Sequence, residues 1–259
     1  MASRKPKTCR AVKPNSGVEA RYRRQLDALI KEMGNSVEYW IRAQYRKDGP
    51  VMAQDASPSK LMQQMLKDLG KRWIKRFDDM ADKIAEGFAN GTLKAHDSAF
   101  KSALADAGWT VDFKMTAATR DVLNASIGEN VALIKSIPQQ YLSKVEGVVM
   151  RSFVQGRDLF TMTQDLQREF GVTKRRAAFI ARDQSNKLTA AATRARRMEL
   201  GITEAIWMHS HAGKEPRPDH VAANGKRFNI AEGCLISGEY LQPGQLINCR
   251  CTSRSVLPV

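Results

Sequence analysis

The chain has 259 residues, of which 42% are hydrophobic and 27% are charged, a composition that supports a folded core in one or two domains. Its 42 lysines and arginines against 27 acidic residues give a net charge of +15, which favours acidic partners. No apolar run reaches about 18 residues and no apolar secretory segment follows the start, which argues against a membrane span and against secretion. Four cysteines then indicate a reducing compartment rather than a disulfide framework.

The first residues are basic, and the chain beyond them has helical periodicity. Residues 1–17 have too few apolar side chains for a core, so they predict a flexible basic arm that orders only on a partner. From there on, apolar residues recur at helical spacing. The pattern predicts helices over 18–46, 58–90, 94–107, 116–136, 138–155, 159–170 and 174–200. Glycine, asparagine and proline often end helices, so the helices are predicted to be interrupted at Gly34-Asn35, Asn90-Gly91, Pro138 and Gly171. His96 is expected at the surface.

Short extended segments replace helix after about residue 203. Residues 205–208, 226–230 and 252–256 are predicted as strands, and glycine- and proline-rich loops and one helical turn at 220–223 lie between them. The expected fold is therefore mainly α, with a helical N-terminal part and a small α+β C-terminal domain. The predicted divisions are a basic arm over 1–17, a helical docking region over 18–140 and a C-terminal domain over 141–259.

The helix predicted over 174–200 has many basic and few acidic side chains, several of which share a face. An aromatic content of 7% with no stacking motif argues against the reading of bases, so any DNA contact is expected with phosphates. A solvated helix surface is the alternative interpretation. The candidate surface for nucleic acid or for an acidic partner consists of Lys174, Arg175, Arg176, Arg182, Arg194 and Arg197.

Histidine and cysteine are concentrated between residues 207 and 251, which hold three of the four histidines and three of the four cysteines. His209 and His211 follow a predicted strand, and their i, i+2 spacing is expected to place both imidazoles on one face. Zinc prefers imidazole and thiolate ligands, although zinc knuckles usually separate paired ligands by about two to four residues. Because Cys249 and Cys251 are closer than that, no cofactor is expected, and zinc is the disfavoured alternative. The candidate metal ligands are His211, His220, Cys234, Cys249 and Cys251.

The same residues allow other interpretations. The cysteines can be small buried apolar side chains. A catalytic cysteine–histidine pair would lack an orienting aspartate or asparagine. A nuclease centre at His209 and His211 would need carboxylates, for which Glu215 and Asp219 are available. No complete catalytic constellation is readable, so no catalytic residue is assigned and no enzyme is expected.

Two runs of residues carry a resemblance over about 140–257. The first is RAAFIARDQ at 176–184, followed by an alanine-rich helix and Trp207. The second comprises Arg217, His220, Gly225, Phe228, Pro243, Gly244, Asn248, Cys249, Arg250 and Cys251. In this order the residues resemble the C-terminal domain of phage head morphogenesis proteins, the family of the phage Mu F protein and related minor head proteins. That family often has a further cysteine or histidine where this sequence has Arg217 and Ile247, which argues against a shared metal site.

The resemblance implies a minor structural protein of a tailed-bacteriophage head. Its motif residues would hold a small fold together, with Arg217 and His220 in polar pairing and the cysteines in the core. The implied partners are the portal protein inside the procapsid, scaffold and major capsid protein, and packaged DNA through its phosphates. The predicted helices over 18–46 and 58–90 are the expected docking elements. The implied location is the virion head interior, reached from the host bacterial cytoplasm during assembly. The alternative is a metal-dependent nuclease or a toxin-like effector delivered with the DNA.

Overall fold

The computed structural model describes residues 7–47, 57–155, 159–212 and 215–258. The helices over these residues are α1 Ser16–Lys47, α2 Pro58–Asp106, α3 Ala117–Val154, α4 Leu159–Glu199 and α5 Pro218–Ala222. The strands are β1 Thr8–Cys9, β2 Glu204–Met208, β3 Arg227–Asn229, β4 Cys234–Ile236, β5 Glu239–Leu241 and β6 Thr252–Val256. None of the helices in this part of the chain is both long enough and apolar enough to cross a bilayer.

The strands form a four-stranded sheet and a separate hairpin. The order in the sheet is β1-β6-β2-β3, and every neighbouring pair is antiparallel. β2 pairs with β6 along its whole length, from Glu204 opposite Val256 to Met208 opposite Thr252. β4 and β5 are joined at Ser237 and Gly238, which both have positive φ, as a tight two-residue hairpin turn requires. The predicted class, mainly α with a small α+β C-terminal part, is confirmed.

The long helices continue through the predicted interruptions at Gly34, Gly91, Pro138 and Gly171. A glycine inside a helix costs about 1 kcal/mol and a proline about 3 kcal/mol, and burial of neighbouring apolar side chains offsets this cost. Pro138, for example, follows Ile137, which is 1% exposed.

Gly34 also shows why a glycine can be required inside a helix. A Cβ atom at this position would lie 2.6 Å from the ring of Phe170. The glycine in α1 therefore serves the close approach of that ring and does not break the helix.

The described residues belong to two compact units. The helical unit takes its residues from 21–85 and 129–180, and the mixed unit from 1–20, 86–128 and 181–259. Each unit is built from several separate segments of the chain, whereas the predicted regions 1–17, 18–140 and 141–259 are each one continuous segment.

Each unit buries apolar side chains of its own. The helical unit buries apolar side chains such as Leu26 and Phe77, and a hydrogen bond from the Tyr22 hydroxyl to Asn130 at 2.9 Å lies among them. The mixed unit packs Trp207, Phe100 and the four cysteines in one apolar cluster.

The predicted flexible arm is ordered from Lys7 onward. Thr8 pairs with Val256 and Cys9 with Ser255, so that β1 forms an edge of the sheet. The amide of Leu257 also donates to the carbonyl of Lys7 at 2.8 Å. Cys9 and Val12 are buried in the mixed unit, and this burial explains why so polar a segment has a fixed place. Residues 1–6 of the predicted arm lie outside the described residues.

A buried polar network joins α2 to the end of α4 inside the mixed unit. The Arg196 guanidinium, in a residue that is 2% exposed, donates to both carboxylate oxygens of Asp97 at 3.1 and 2.6 Å and to Glu199 at 2.9 Å. His96 is 3% exposed and shares hydrogen bonds with Thr193 at 2.9 Å and with Asp97 at 3.1 Å. The prediction that His96 lies at the surface is therefore wrong. Its ring is part of the network that pairs the buried charge.

Arg197 joins α4 to the sheet. It is 4% exposed and donates to the hydroxyls of Ser255 and Ser253 at 2.8 and 2.7 Å and to the carbonyl of Ser253 at 2.7 Å. Burial lowers the pKa of its guanidinium to about 10, so the group stays charged near neutral pH. The three hydrogen bonds to β6 compensate for the burial of that charge.

Truncation of the buried Arg196 should destabilise the fold far more than truncation of its exposed neighbour Arg194. Arg196→Ala removes the guanidinium that pairs with Asp97 and Glu199, and we expect the free energy of unfolding to fall by about 3 kcal/mol or more. Arg194→Ala removes one exposed hydrogen bond to the Ala231 carbonyl, and the expected loss is below about 1 kcal/mol. Urea denaturation measures both. Equal losses would contradict the role given to Arg196.

The stability of the protein should fall as the pH drops below the ordinary pKa of histidine, because burial lowers the pKa of His96 in the folded state. The unfolded chain then binds the extra proton below about pH 6.5, and the folded state loses up to about 1.4 kcal/mol per pH unit. In His96→Gln, the slope of unfolding free energy between about pH 6.5 and pH 5 should be smaller than in the wild type. His211→Gln, which changes an exposed histidine, is the control and should keep the contribution of His96. An unchanged slope in His96→Gln would refute the assignment.

Candidate functional site

Two segments of the mixed unit bring one histidine and two cysteines together. Pro218 starts α5, where its fixed φ suits the first helical position, and His220 lies on the buried side of this short helix. Cys249 and Cys251 precede β6, and the alternation of an extended chain places their side chains on the same side. We call His220, Cys249 and Cys251 the His–Cys–Cys cluster.

The cluster is compact and buried. The Nδ1 atom of His220 lies 3.6 Å from the Sγ atom of Cys249 and 3.7 Å from that of Cys251. The three ligand atoms all lie within 4.8 Å of one another. The residues are 2%, 3% and 5% exposed, and the Trp207 ring packs edge to face on the imidazole with a centroid separation of 5.3 Å. The Nε2 atom of His220 has no hydrogen-bond partner among the described residues.

The two thiols of the cluster influence each other. A hydrogen bond with Cys251 lowers the pKa of the Cys249 thiol well below its usual range and outweighs the opposing effect of burial. The same hydrogen bond and burial together raise the pKa of the Cys251 thiol. The two thiols therefore titrate as a coupled pair, and the first deprotonation occurs more readily than for an isolated buried thiol.

A cavity of about 200 Å³ borders the cluster. Its wall includes His209, Glu215 and Arg217. The expectation that His209 and His211 project from one strand face is wrong, because β2 ends at Met208 and His211 has a φ of +53°. The chain turns instead, so that the His211 amide donates to Nδ1 of His209 at 3.2 Å and the two rings lie 4.5 Å apart.

Two of the five sequence-predicted metal candidates lie outside the cluster. Within the described residues, the only group of metal-ligating side chains is His220, Cys249 and Cys251. His211 follows β2 in an exposed turn, and Cys234 is buried on β4. The carboxylates considered for a nuclease centre are not members of the group either, and Asp219 accepts a hydrogen bond from Ser237 at 3.2 Å.

The family-motif residues between the cluster and the strands hold loops in place. Arg217 donates to the Ile247 carbonyl at 3.0 Å, while His220 faces the two thiols, so the implied polar pairing of Arg217 with His220 is wrong. Gly225 has a φ of +85° and donates its amide to the Trp207 carbonyl at 2.9 Å. Phe228 on β3 packs against the Trp207 ring.

Arg250 fixes another loop through a hydrogen bond from its guanidinium to the Ala212 carbonyl. Each of these contacts connects segments that are distant in sequence.

The loop before β6 lies against α4. A Cβ atom on Gly244 would come within 2.9 Å of the Ala190 side chain, so only glycine fits there without displacement. The Asn248 amide donates to the buried carboxylate of Asp183 at 2.5 Å, and Lys187 pairs with the same carboxylate at 3.3 Å. Asp183 lies in the RAAFIARDQ run that carries the family resemblance, but no role was predicted for it. A second visible signal is that it is an acid in a basic, alanine-rich helix.

Only some of the residues in the predicted basic surface are exposed. Lys174, Arg175 and Arg194 are exposed. Arg197 is buried against β6, so its assignment to a binding surface is wrong.

The remaining members of that surface are partly buried. Arg176 donates to Ser136 at 2.9 Å, and burial lowers the pKa of its guanidinium. Arg182 approaches the Asn248 side chain at 3.5 Å. Lys174, Arg175 and Arg176 belong to the helical unit, whereas Arg182, Arg194 and Arg197 belong to the mixed unit.

Substitution of two glycines with similar φ angles can separate the effect of close packing on stability from the effect of backbone conformation. Gly244→Ala and Gly225→Ala both place a side chain at a φ above +80°, which costs about 1–2 kcal/mol. Only the first also collides with Ala190, since nothing lies within 4 Å of the Cβ position at Gly225. We therefore expect Gly244→Ala to lower the unfolding free energy by about 1–3 kcal/mol more than Gly225→Ala does. Chemical denaturation measures this difference, and equal losses would rule out close packing of Gly244 on α4.

Comparison with known proteins finds one family model and one relative that are similar to this chain. Residues 143–254 match the family model described as Phage Mu protein F like protein. An uncharacterized protein of Haemophilus influenzae (strain ATCC 51907 / DSM 11121 / KW20 / Rd) is 33% identical to the chain over 254 residues. The alignment covers 95% of this chain and 55% of that relative, so the chain spans about half the length of the relative. No solved structure matches the chain significantly.

The matched range extends from within α3 into β6 and contains the whole motif from Arg217 to Cys251. It therefore includes the His–Cys–Cys cluster, the loop that packs on α4 and the buried arginines at the end of that helix. The resemblance noted in the sequence is confirmed for this range: residues 143–254 are similar to the phage Mu F-like family.

Proposed function

We propose that the protein is a minor structural protein that takes part in assembly of a tailed-bacteriophage head. The match of residues 143–254 to the phage Mu F-like family carries the proposal. The motif residues of this range make contacts inside the fold, as the His220 side chain does with two thiols and the Asn248 backbone amide does with Asp183. Such contacts suit a protein that acts by binding and not by turnover.

The proposed docking surface for the portal protein lies on α1 and α2 of the helical unit. Tyr39 and Trp40 are 65% and 43% exposed and pack edge to face at 5.4 Å. The Arg72 guanidinium lies 6.0 Å from the centroid of the Trp40 ring. Tyrosine, tryptophan and arginine are the residues that most often dominate the binding free energy of protein interfaces. We call Tyr39, Trp40 and Arg72 the aromatic patch.

Packaged DNA is the second proposed partner. The net charge of +15 attracts polyanions through the release of counterions, and the exposed Lys174, Arg175 and Arg194 are available to phosphates. Arg196 and Arg197 take no part in such contacts because they are buried and paired inside the mixed unit. Phosphate contacts carry no sequence information, so binding should not depend on base sequence.

From these proposed partners we infer where the protein is located during and after assembly. It would join the portal during assembly in the host bacterial cytoplasm and remain in the interior of the virion head. Scaffold and major capsid protein would then be its neighbours, and the packaged DNA would reach it later.

Removal of the aromatic patch should keep the protein out of the particle. The test is co-expression with the portal, scaffold and major capsid proteins of the same phage, followed by mass spectrometry of purified DNA-free proheads. We expect the wild type to be incorporated and the Tyr39→Ser/Trp40→Ser double variant to be reduced about tenfold or more, because the anchor side chains are lost. Both side chains are exposed, so the fold should persist, which circular dichroism and urea denaturation would verify.

The matched control is Val172→Ser, which changes an apolar residue that is 45% exposed in the same unit. It should enter proheads as the wild type does. Equal incorporation of the double variant would contradict docking through the aromatic patch. Incorporation of the wild type into proheads that lack the portal, or into DNA-filled heads alone, would overturn the portal as the partner.

A further inference from the structure

We propose that His220, Cys249 and Cys251 form a zinc site that fastens α5 to the segment leading into β6. The two cysteines are 29 and 31 residues away from the histidine, so an ion bound here would close a loop of the mixed unit. The site goes beyond the proposed assembly function and does not depend on it. Zinc would stabilise this part of the fold whatever the protein contacts.

The distances in the cluster fit tetrahedral coordination. Zinc lies about 2.3 Å from thiolate sulfur and about 2.0–2.1 Å from imidazole nitrogen, and a tetrahedral angle then separates sulfur from nitrogen by about 3.6 Å. The observed separations from Nδ1 of His220 are 3.6 and 3.7 Å. All three ligand atoms are close enough together to contact one ion.

Hydrogen bonding alone explains this arrangement less well. An imidazole nitrogen that is not protonated has a single lone pair in the ring plane, which can accept one well-aligned hydrogen bond. Here two sulfur atoms lie at nearly the same distance from Nδ1 of His220. An ion placed between them satisfies both sulfurs and the nitrogen at once.

The charge of the complete site also suits its burial. Two thiolates and a neutral imidazole around Zn²⁺ have no net charge, and such a centre can be enclosed without an unpaired ion. The three residues are at most 5% exposed. Binding would release the thiol protons, which links zinc affinity to pH and to folding.

The sequence spacing that argued against zinc has a structural answer. A zinc knuckle needs about two to four intervening residues because its ligands turn towards the ion on a tight loop. Cys249 and Cys251 lie at i and i+2 on extended chain, where alternate side chains point the same way. Both thiols therefore reach His220 without a knuckle.

The fourth ligand would come from the neighbouring cavity of about 200 Å³. This cavity has room for a water molecule, and His209 lies in its wall. Three protein ligands and one water molecule form a tetrahedral set that zinc adopts in proteins, although catalytic sites use it more than structural ones.

Metal analysis of the full-length protein tests the site. Protein purified from zinc-supplemented cells and dialysed should contain one equivalent of zinc. Replacement of zinc by Co²⁺ should give the sulfur-to-cobalt charge-transfer band and the visible bands of tetrahedral cobalt. Cys249→Ser and Cys251→Ser should each lower zinc affinity about tenfold or more in a chelator competition assay.

The matched controls are Cys234→Ser and His211→Ala, which change a buried thiol and an imidazole outside the cluster. Both should keep the full equivalent of zinc and the cobalt bands.

A measurement on the wild type avoids variants that fail to fold. The melting temperature of the reduced, metal-free protein should rise when zinc is added and fall again with a chelator. Absence of bound zinc and of this shift would overturn the site. So would a Cys249–Cys251 disulfide in the freshly purified protein, or full zinc content in the Cys249→Ser/Cys251→Ser double variant.

Discussion

Burial of two adjacent guanidinium groups at the end of α4 constrains the mixed unit more than any other interaction. Arg196 pairs with Asp97 on α2, and Arg197 donates to Ser253 and Ser255 on β6. An arginine remains charged when it is buried, so its donors must be satisfied by partners in fixed positions. Because the two side chains bond to different elements, the end of α4 cannot leave either α2 or β6 without exposing an unpaired charge to the core.

The fold class could be predicted because apolar residues recur at helical spacing before residue 200 and short extended segments follow. The predicted segment 252–256 coincides with β6. The continuity of the long helices could not be predicted, since glycine and proline indicate local propensity, whereas burial of neighbours such as Ile137 decides the outcome. The burial of Arg197 was equally invisible, because its serine partners lie more than fifty residues away in the sequence and look like any other polar residues.

The region of the chain that forms the candidate site could be predicted, but the side chains that meet in it could not. Enrichment in histidine and cysteine pointed to residues 207–251, and the order of the motif pointed to the family whose model matches residues 143–254. Which side chains meet was decided by the backbone. His211 follows the end of β2 with a positive φ and is not a member of the cluster, whereas the buried side of α5 presents His220 to two thiols. The motif residues thus connect the segments of a small fold to one another. The proposed assembly role depends on this fold and also on exposed aromatic and basic side chains outside the motif.

The most direct test of this architecture is native-state hydrogen exchange, followed by mass spectrometry, in the wild type and in Arg197→Met. If the buried guanidinium joins helix and sheet, amides at the end of α4 and in β6 should open with the same free energy in the wild type. The substitution should lower both by the same amount, because the two elements would open together. Protection of β6 that changes while that of α4 does not, or protection of both that is unaffected, would contradict the central role of this arginine.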